Sequence, residues 1–135
     1  MIHVIMGLKG SGKTKKLSDP INAAVADAHG DVGCIEYGKK LTYDVTYKVR
    51  LVDSKEYAIS NPDMLKGFLS GLHAGNFDIT HVFIDNLYKT IGTDRAAAEE
   101  FVAWCAKFAA DNNMEITMTI SDDPSQASED VKKYL

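Results

Sequence analysis

The stretch that most constrains this chain is Gly7–Thr14, GLKGSGKT, which follows the short apolar run Ile2–Met6, IHVIM. A simple turn needs one or two glycines. Here Gly7, Gly10 and Gly12 are followed at once by Lys13 and Thr14. The spacing G-x-x-x-x-G-K-[ST] suits a loop whose backbone N–H groups point inward in succession around an anion. Glycine permits the unusual dihedrals and the close backbone approach that this requires. A helix opening near Gly12 adds unpaired N–H groups and the positive end of its dipole. Lys13 supplies a full positive charge toward the β- and γ-phosphates of a nucleotide, and Thr14 offers a hydroxyl to Mg²⁺. With average glycine usage of about 7%, a chance match in a chain this long has odds on the order of half a percent. Gly7, Leu8, Lys9, Gly10, Ser11, Gly12, Lys13 and Thr14 are the candidate nucleotide contacts.

Patterning along the chain supplies the context such a loop needs. Ile2–Met6 is expected as a strand and Gly12 to about His29 as a helix, with Leu17, Ile21, Ala24, Val25 and Ala28 on one face, Pro20 kinking it and Gly30 ending it. Val32–Gly38 and Tyr47–Asp53 are expected strands, the second with Tyr47, Val49 and Leu51 on one face. The intervening KKLTYDVT is a loop or an extra strand. Residues 61–75 form a helix with Asn61 as N-cap, Pro62 at its first position, Gly75 at its end and Met64, Leu65, Phe68, Leu69 and Leu72 buried. Thr80–Asn86 and Glu115–Ser121 are strands. Residues 93–113 form the clearest helix, with Phe101, Trp104, Cys105 and Phe108 on one side, and a terminal helix runs from Asp123 to Tyr134. This alternation predicts an α/β fold, three-layer αβα, with a mainly parallel five-stranded sheet, in one nucleotide-binding domain over residues 1–135. In such sheets ligands bind at the carboxyl ends of the strands, where the glycine-rich loop falls.

A second signal lies about 70 residues on. HVFID is a mostly apolar strand ending in Asp85, the Walker B pattern, as GLKGSGKT is the Walker A or P-loop pattern. A carboxylate there can hold Mg²⁺ through water beside Thr14. Thr14 and Asp85 are the expected metal-side residues, and ATP or ADP with Mg²⁺ the expected ligands.

Composition narrows the setting. The 135 residues are 45% hydrophobic and 25% charged, ordinary for a globular protein. A net charge of -4 argues against an extended nucleic-acid face. Cys34 and Cys105 sit in apolar settings outside any C-x-x-C pair, as buried free thiols would. No apolar run approaches the ~20 residues needed to span a bilayer, and MIHVIMG lacks a basic leader region. A cytoplasmic protein without membrane association is expected. A protein partner or a second copy of the chain stays open.

GLKGSGKT, HVFID and the strand–helix rhythm together resemble the P-loop NTPase superfamily over nearly the whole chain. One strand expected between the loop strand and the HVFID strand suits its RecA-like branch. No N-K-x-D guanine-reading motif is present, which favours ATP. More narrowly, KGSGKTKKL, YDVTYKVRLVDSKEY, DITHVFIDNLYKTIG and VKKYL resemble small stand-alone bacterial P-loop proteins often labelled twitching motility ATPase-like. The resemblance implies nucleotide binding. Hydrolytic members often carry Glu after the Walker B Asp; here Asn86 follows, and an amide cannot act as a base. Glu36, closing VGCIEYG, is similarly placed to the glutamate that other members use, and is the candidate catalytic base beside Lys13, or else a surface or structural glutamate at a strand end. Ser121 is a candidate for the γ-phosphate or its water, or else a helix-entry hydroxyl. Asp122 and Asp123 are expected as helix caps, Lys15, Lys16, Lys39 and Lys40 as solvated charges, and Arg95 as a weak arginine-finger candidate. His3, His29, His73 and His81 lack metal-ligand spacing.

Three functions follow from these residues: a slow Mg²⁺-dependent ATPase acting as a switch or energy-coupling module, a non-hydrolysing ATP-binding module of a larger assembly, and a nucleoside-type kinase. A kinase lid is usually rich in arginine, and this chain has only Arg50 and Arg95.

Overall fold

Strands and helices alternate through the computed structural model, which describes residues 1–27, 30–39, 41 and 44–135. In chain order they are β1 (Ile2–Gly7), α1 (Lys13–Asp27), β2 (Asp31–Glu36), β3 (Arg50–Asp53), α2 (Pro62–Gly75), β4 (Ile79–Ile84), α3 (Leu87–Ile91), α4 (Arg95–Asp111), β5 (Glu115–Ser121) and α5 (Glu129–Lys132). The sheet has five strands in the order β1-β5-β4-β2-β3, and all four pairings are parallel. A parallel sheet needs crossover connections and cover on both faces.

Alternation along each strand divides the core in two. Val32, Cys34 and Phe83 pack with Leu17 and Ile21 of α1. Their neighbours Ile35, Val82 and Ile84 point the other way, into a larger cluster with Leu65 and Leu69 of α2, Leu87 of α3, Phe101 and Cys105 of α4 and Val131 of α5. The α/β class and helical cover on both faces therefore follow from near-continuous burial along β2 and β4, with alternate residues facing opposite layers. β5 lies between β1 and β4, and its register sets Gly7 beside Ser121 and Ile84 beside Met118. The outer edge of β1 meets the C-terminal segment, where the Val4 N–H donates to the Tyr134 carbonyl at 2.9 Å. Among the described residues, no helix is long and apolar enough to cross a membrane.

Several elements differ from the expectation. The strand expected at 47–53 is only Arg50–Asp53, because a turn closed by the Val49 N–H on the Thr46 carbonyl precedes it. Tyr47 stands 91% exposed instead of sharing a face with buried Val49. The strand expected to reach Gly38 stops at Glu36, and Gly38 turns with φ +91°. No described residue of 37–39, 41 or 44–49 is in a strand, while Lys40, Thr42 and Tyr43 lie outside the described residues, as do Ala28 and His29 at the expected end of the first helix. The Asn61 cap is present, accepting from the Met64 N–H, but Met64 itself is exposed. The single terminal helix is instead a 3₁₀ turn at Pro124–Gln126 and a short α5, because Ser128 caps a new start through the Val131 N–H. α3 was not anticipated.

Gly30 marks a tight point between α1 and β2. A Cβ there would lie 2.0 Å from the Asp78 carbonyl oxygen, the atom that accepts the Asp31 N–H. Gly30→Ala must push one backbone segment away and lose that bond. The expected cost is about 1–3 kcal/mol of stability in urea unfolding, and an unchanged midpoint would show that the turn relaxes freely.

Candidate functional site

The glycine-rich loop leaves β1 and enters α1 through two residues that only glycine adopts readily, Gly10 at φ +87° and Gly12 at φ +85°. Gly7 is fixed by closeness instead: a Cβ there would meet Ser11 Oγ at 2.6 Å. Lys13 is folded over the loop and only 7% exposed. Its ammonium donates to the Leu8 carbonyl at 2.9 Å and to Ser11 Oγ at 3.4 Å. Burial lowers its pKa, the Asp85 charge works in the opposite direction, and Lys16 adds to the lowering. A buried ammonium facing a neutral carbonyl and a hydroxyl is poorly compensated. The first turn of α1 adds to the imbalance, since Lys13, Lys15 and Lys16 occupy it with no acidic residue. Cations at a helix N-terminus oppose its dipole. An anion bound here would relieve both costs.

Opposite the loop stands Asp85, directly after β4 and 3% exposed. Its backbone N–H donates to the Ile35 carbonyl at 2.8 Å, which anchors the strand end. The Thr14 hydroxyl reaches its two carboxylate oxygens at 3.2 and 3.4 Å. The Thr119 hydroxyl of β5 donates to Oδ1 at 2.8 Å and accepts the Asn86 N–H at 2.7 Å. Asn86 sits in the left-handed region at φ 56°, ψ 65°, a conformation that asparagine tolerates better than most side chains. The residue after Asp85 is thus constrained by backbone geometry.

Loop and strand ends enclose a cleft of about 480 Å³ lined by Lys9, Gly10, Gly12, Lys13, Thr14, Lys15, Asp85, Asn86, Lys89, Thr119 and Ser121. The arrangement brings together Lys13, Thr14, Asp85 and Ser121 as the sequence suggested. Gly7 lies at the base of the loop, beside Ser121 in the sheet. Leu8 and Ser11 serve as acceptors of Lys13 and do not line the cleft. Glu36 does not line it either: it is 2% exposed, and its Oε1 accepts the Leu41 N–H at 3.2 Å. Thr119 and Lys89 were missed. Alternation in EITMTIS marks Thr119 as sharing the face of Thr117 and Ser121, but only the strand order puts it against Asp85.

Beyond Ser121 the chain is held by a polar cluster. Asp122 accepts from Arg95 Nε and Nη2, each at 2.8 Å, and from the Tyr88 hydroxyl at 2.7 Å. Asp122 is therefore no helix cap. Asp123 is one, accepting the Ser125 N–H. Arg95 is not among the cleft-lining residues. Its guanidinium is the main reason the Asp122 carboxyl is held well below the ordinary carboxylate range. Burial and then the Asp122 bond push the Tyr88 hydroxyl up to about 12. Lys39 pairs with Glu56 at 3.0 Å, and His81 with Glu115 at 2.9 Å, both away from the cleft. Cys34 and Cys105 are buried free thiols whose pKa burial raises far above the ordinary value.

Comparison with protein-family models and with curated proteins gives no match.

Two outcomes follow from these bonds. Thr119→Val keeps the shape of the side chain but leaves the buried Asn86 N–H without its acceptor and removes a donor from Asp85. It should cost about 1–3 kcal/mol in urea unfolding, whereas Thr117→Val, at a half-buried position of the same strand and face, should change little. For Asp122 the native pKa lies below the unfolded one. Its stabilisation is complete above about pH 4 and is lost as the pH falls from there toward the depressed native value. The stability difference between wild type and Asp122→Asn should therefore be present at pH 7 and shrink below about pH 4. A constant difference across that range would exclude the linkage.

Proposed function

We propose that this chain is a P-loop nucleotide-binding protein that takes a Mg²⁺–purine nucleoside triphosphate, ATP in preference, and acts as a switch with slow turnover. One observation carries the reading. Thr14 and Asp85, 71 residues apart in sequence, meet at the mouth of a glycine-rich loop that also holds Lys13. The parallel sheet with β5 between β1 and β4 supports a RecA-like arrangement.

The residues present fit such a ligand. Gly10, Gly12 and the start of α1 would receive the phosphates, Lys13 would neutralise them, and Thr14 and Asp85 would hold the metal side. Mg²⁺, when bound, supplies charge neutralisation between the β- and γ-phosphates. Exchange of the Thr14–Asp85 contact for the metal requires only that the hydroxyl turn. ATP is favoured because the chain has no N-K-x-D guanine-reading motif.

Slow turnover follows from what the cleft offers a water molecule. Asp85 is the one carboxylate among the described residues lining it. Asn86 cannot accept a proton, and Glu36 faces the Leu41 N–H. This same observation favours, as a second reading, a non-hydrolysing module of a larger assembly. A kinase is less well supported, since Arg95 pairs with Asp122 and Arg50 begins the edge strand β3.

Calorimetry with Mg-ATP tests the proposal. Lys13→Ala should weaken binding at least about tenfold, or 1.4 kcal/mol. Asp85→Asn should remove most of the Mg²⁺ dependence of ATP affinity. Equal affinity of wild type and Lys13→Ala for Mg-ATP would reject the reading.

A further inference from the structure

Three polar residues outside the cleft tie its β4 side to its β5 side. None of Tyr88, Arg95 and Asp122 is among the described residues that line it. Asp122 follows Ser121 directly, and the sheet register sets Ser121 beside Gly7 at the base of the glycine-rich loop. Tyr88 lies on α3, two residues past Asn86, and that helix is anchored by buried Leu87, Thr90 and Ile91. Arg95 opens α4, whose Ala98, Phe101 and Val102 are buried. The Asp122 carboxylate joins these elements. Its Oδ2 accepts from Arg95 Nε at 2.8 Å and from the Tyr88 hydroxyl at 2.7 Å. Its Oδ1 accepts from Arg95 Nη2 and from the Asp123 N–H, each at 2.8 Å.

We infer that Tyr88 and Arg95, acting through Asp122, are positioning residues that hold Ser121 in place for the bound nucleotide. The inference rests on the proposed nucleotide site. A carboxylate offers about four lone-pair sites, and four donors occupy those of Asp122, so it has little left for a ligand. What it supplies is geometry. The guanidinium fork fixes the orientation of the carboxylate as well as its distance. The ends of β4 and β5 are then joined twice. The inner tie is Thr119, which donates to Asp85 and accepts the Asn86 N–H. The outer tie is the Tyr88–Asp122 bond. Ser121 lies between the two, two residues past Thr119 and one before Asp122, and lines the cleft. Loss of the outer tie leaves the end of β5 held to the β4 side by Thr119 alone, and the Ser121 hydroxyl free to shift.

Calorimetric titration with Mg-ATP, with urea unfolding of each variant in parallel, tests this. Tyr88→Phe keeps the ring and removes the hydroxyl. It should weaken Mg-ATP about 3- to 10-fold, and Arg95→Gln, which removes the fork, should give a loss of the same order. Gly30→Ala, strained at the opposite end of the sheet, should bind Mg-ATP as wild type does. In the double variant Tyr88→Phe/Ser121→Ala the loss should be no greater than in Ser121→Ala alone, because the hydroxyl being positioned is gone. Wild-type protein that does not bind Mg-ATP would remove the nucleotide site itself and this inference with it. Wild-type binding that Lys13→Ala weakens and both Tyr88→Phe and Arg95→Gln leave unchanged would overturn the positioning role alone. Additive losses in the double variant, or a loss in Gly30→Ala equal to that in Tyr88→Phe, would overturn it in favour of a purely structural cluster.

Discussion

The site is organised around one buried carboxylate. Asp85 is 3% exposed, and a carboxylate in that setting must find partners. Its partners come from separate parts of the chain: Thr14 at the start of α1 and Thr119 in β5. That requirement ties the glycine-rich loop, the central strand β4 and the intervening strand β5 into one geometry. The sheet order makes it feasible, since β5 bridges β1 and β4 and its Thr119 also takes up the Asn86 N–H. Two hydroxyls satisfy the hydrogen-bonding capacity of a carboxylate only in part and bring no charge. The Lys13 ammonium is turned to a carbonyl and a serine. Asp85 and Lys13 thus bring opposite charges to one cleft, and the hydrogen-bond partners described for each are neutral, which is an arrangement suited to a cation and an anion arriving together.

Charge distribution carries the same message. The chain as a whole has a net charge of -4, yet Lys9, Lys13, Lys15 and Lys89 converge on a single cleft. Like charges held close together repel, and placing them at the positive end of a helix raises the cost. The local field would draw a polyanion toward the carboxyl ends of the strands, while the acidic remainder of the surface disfavours extended nucleic acid. The bias is local, so composition alone could only hint at it.

How far the sequence could be read depended on how local each signal was. The loop conformation at Gly10 and Gly12, the Asn61 cap and the full span of Glu115–Ser121 were legible, because glycine placement, cap chemistry and strand alternation act within a few residues. The approach of Thr14 to Asp85 was legible too, but only because two local patterns were recognised together. Thr119 and Lys89 were not, since their places in the cleft arise from strand order and from the rotation of a five-residue helix. The surroundings of Glu36 were hidden for a related reason. It does end a strand on the ligand side of the sheet, but its carboxylate accepts the Leu41 N–H five residues on, a contact that no periodicity announces. Tyr47 misled because a turn at Thr46–Val49 broke an alternating pattern before the sheet could use it.

The conformation of Asn86 links backbone strain to chemical capacity. The chain leaves β4 at Asp85 and must turn sharply so that Leu87 and Ile91 of α3 can reach the core and Thr90 can reach Ser54. That turn is made at φ 56°, with the N–H held by Thr119. Glutamate would fit the left-handed region less well than asparagine, by an amount on the order of 1–2 kcal/mol for an unfavoured side chain. The same turn brings Lys89 round to the cleft. On the proposed reading, the chain thus carries an amide, which is no proton acceptor, next to Asp85. A base there would promote attack of water on the terminal phosphate, and an amide would not. On that reading, a site built in this way would favour retention of the triphosphate over its rapid hydrolysis, as a switch read by its occupancy requires.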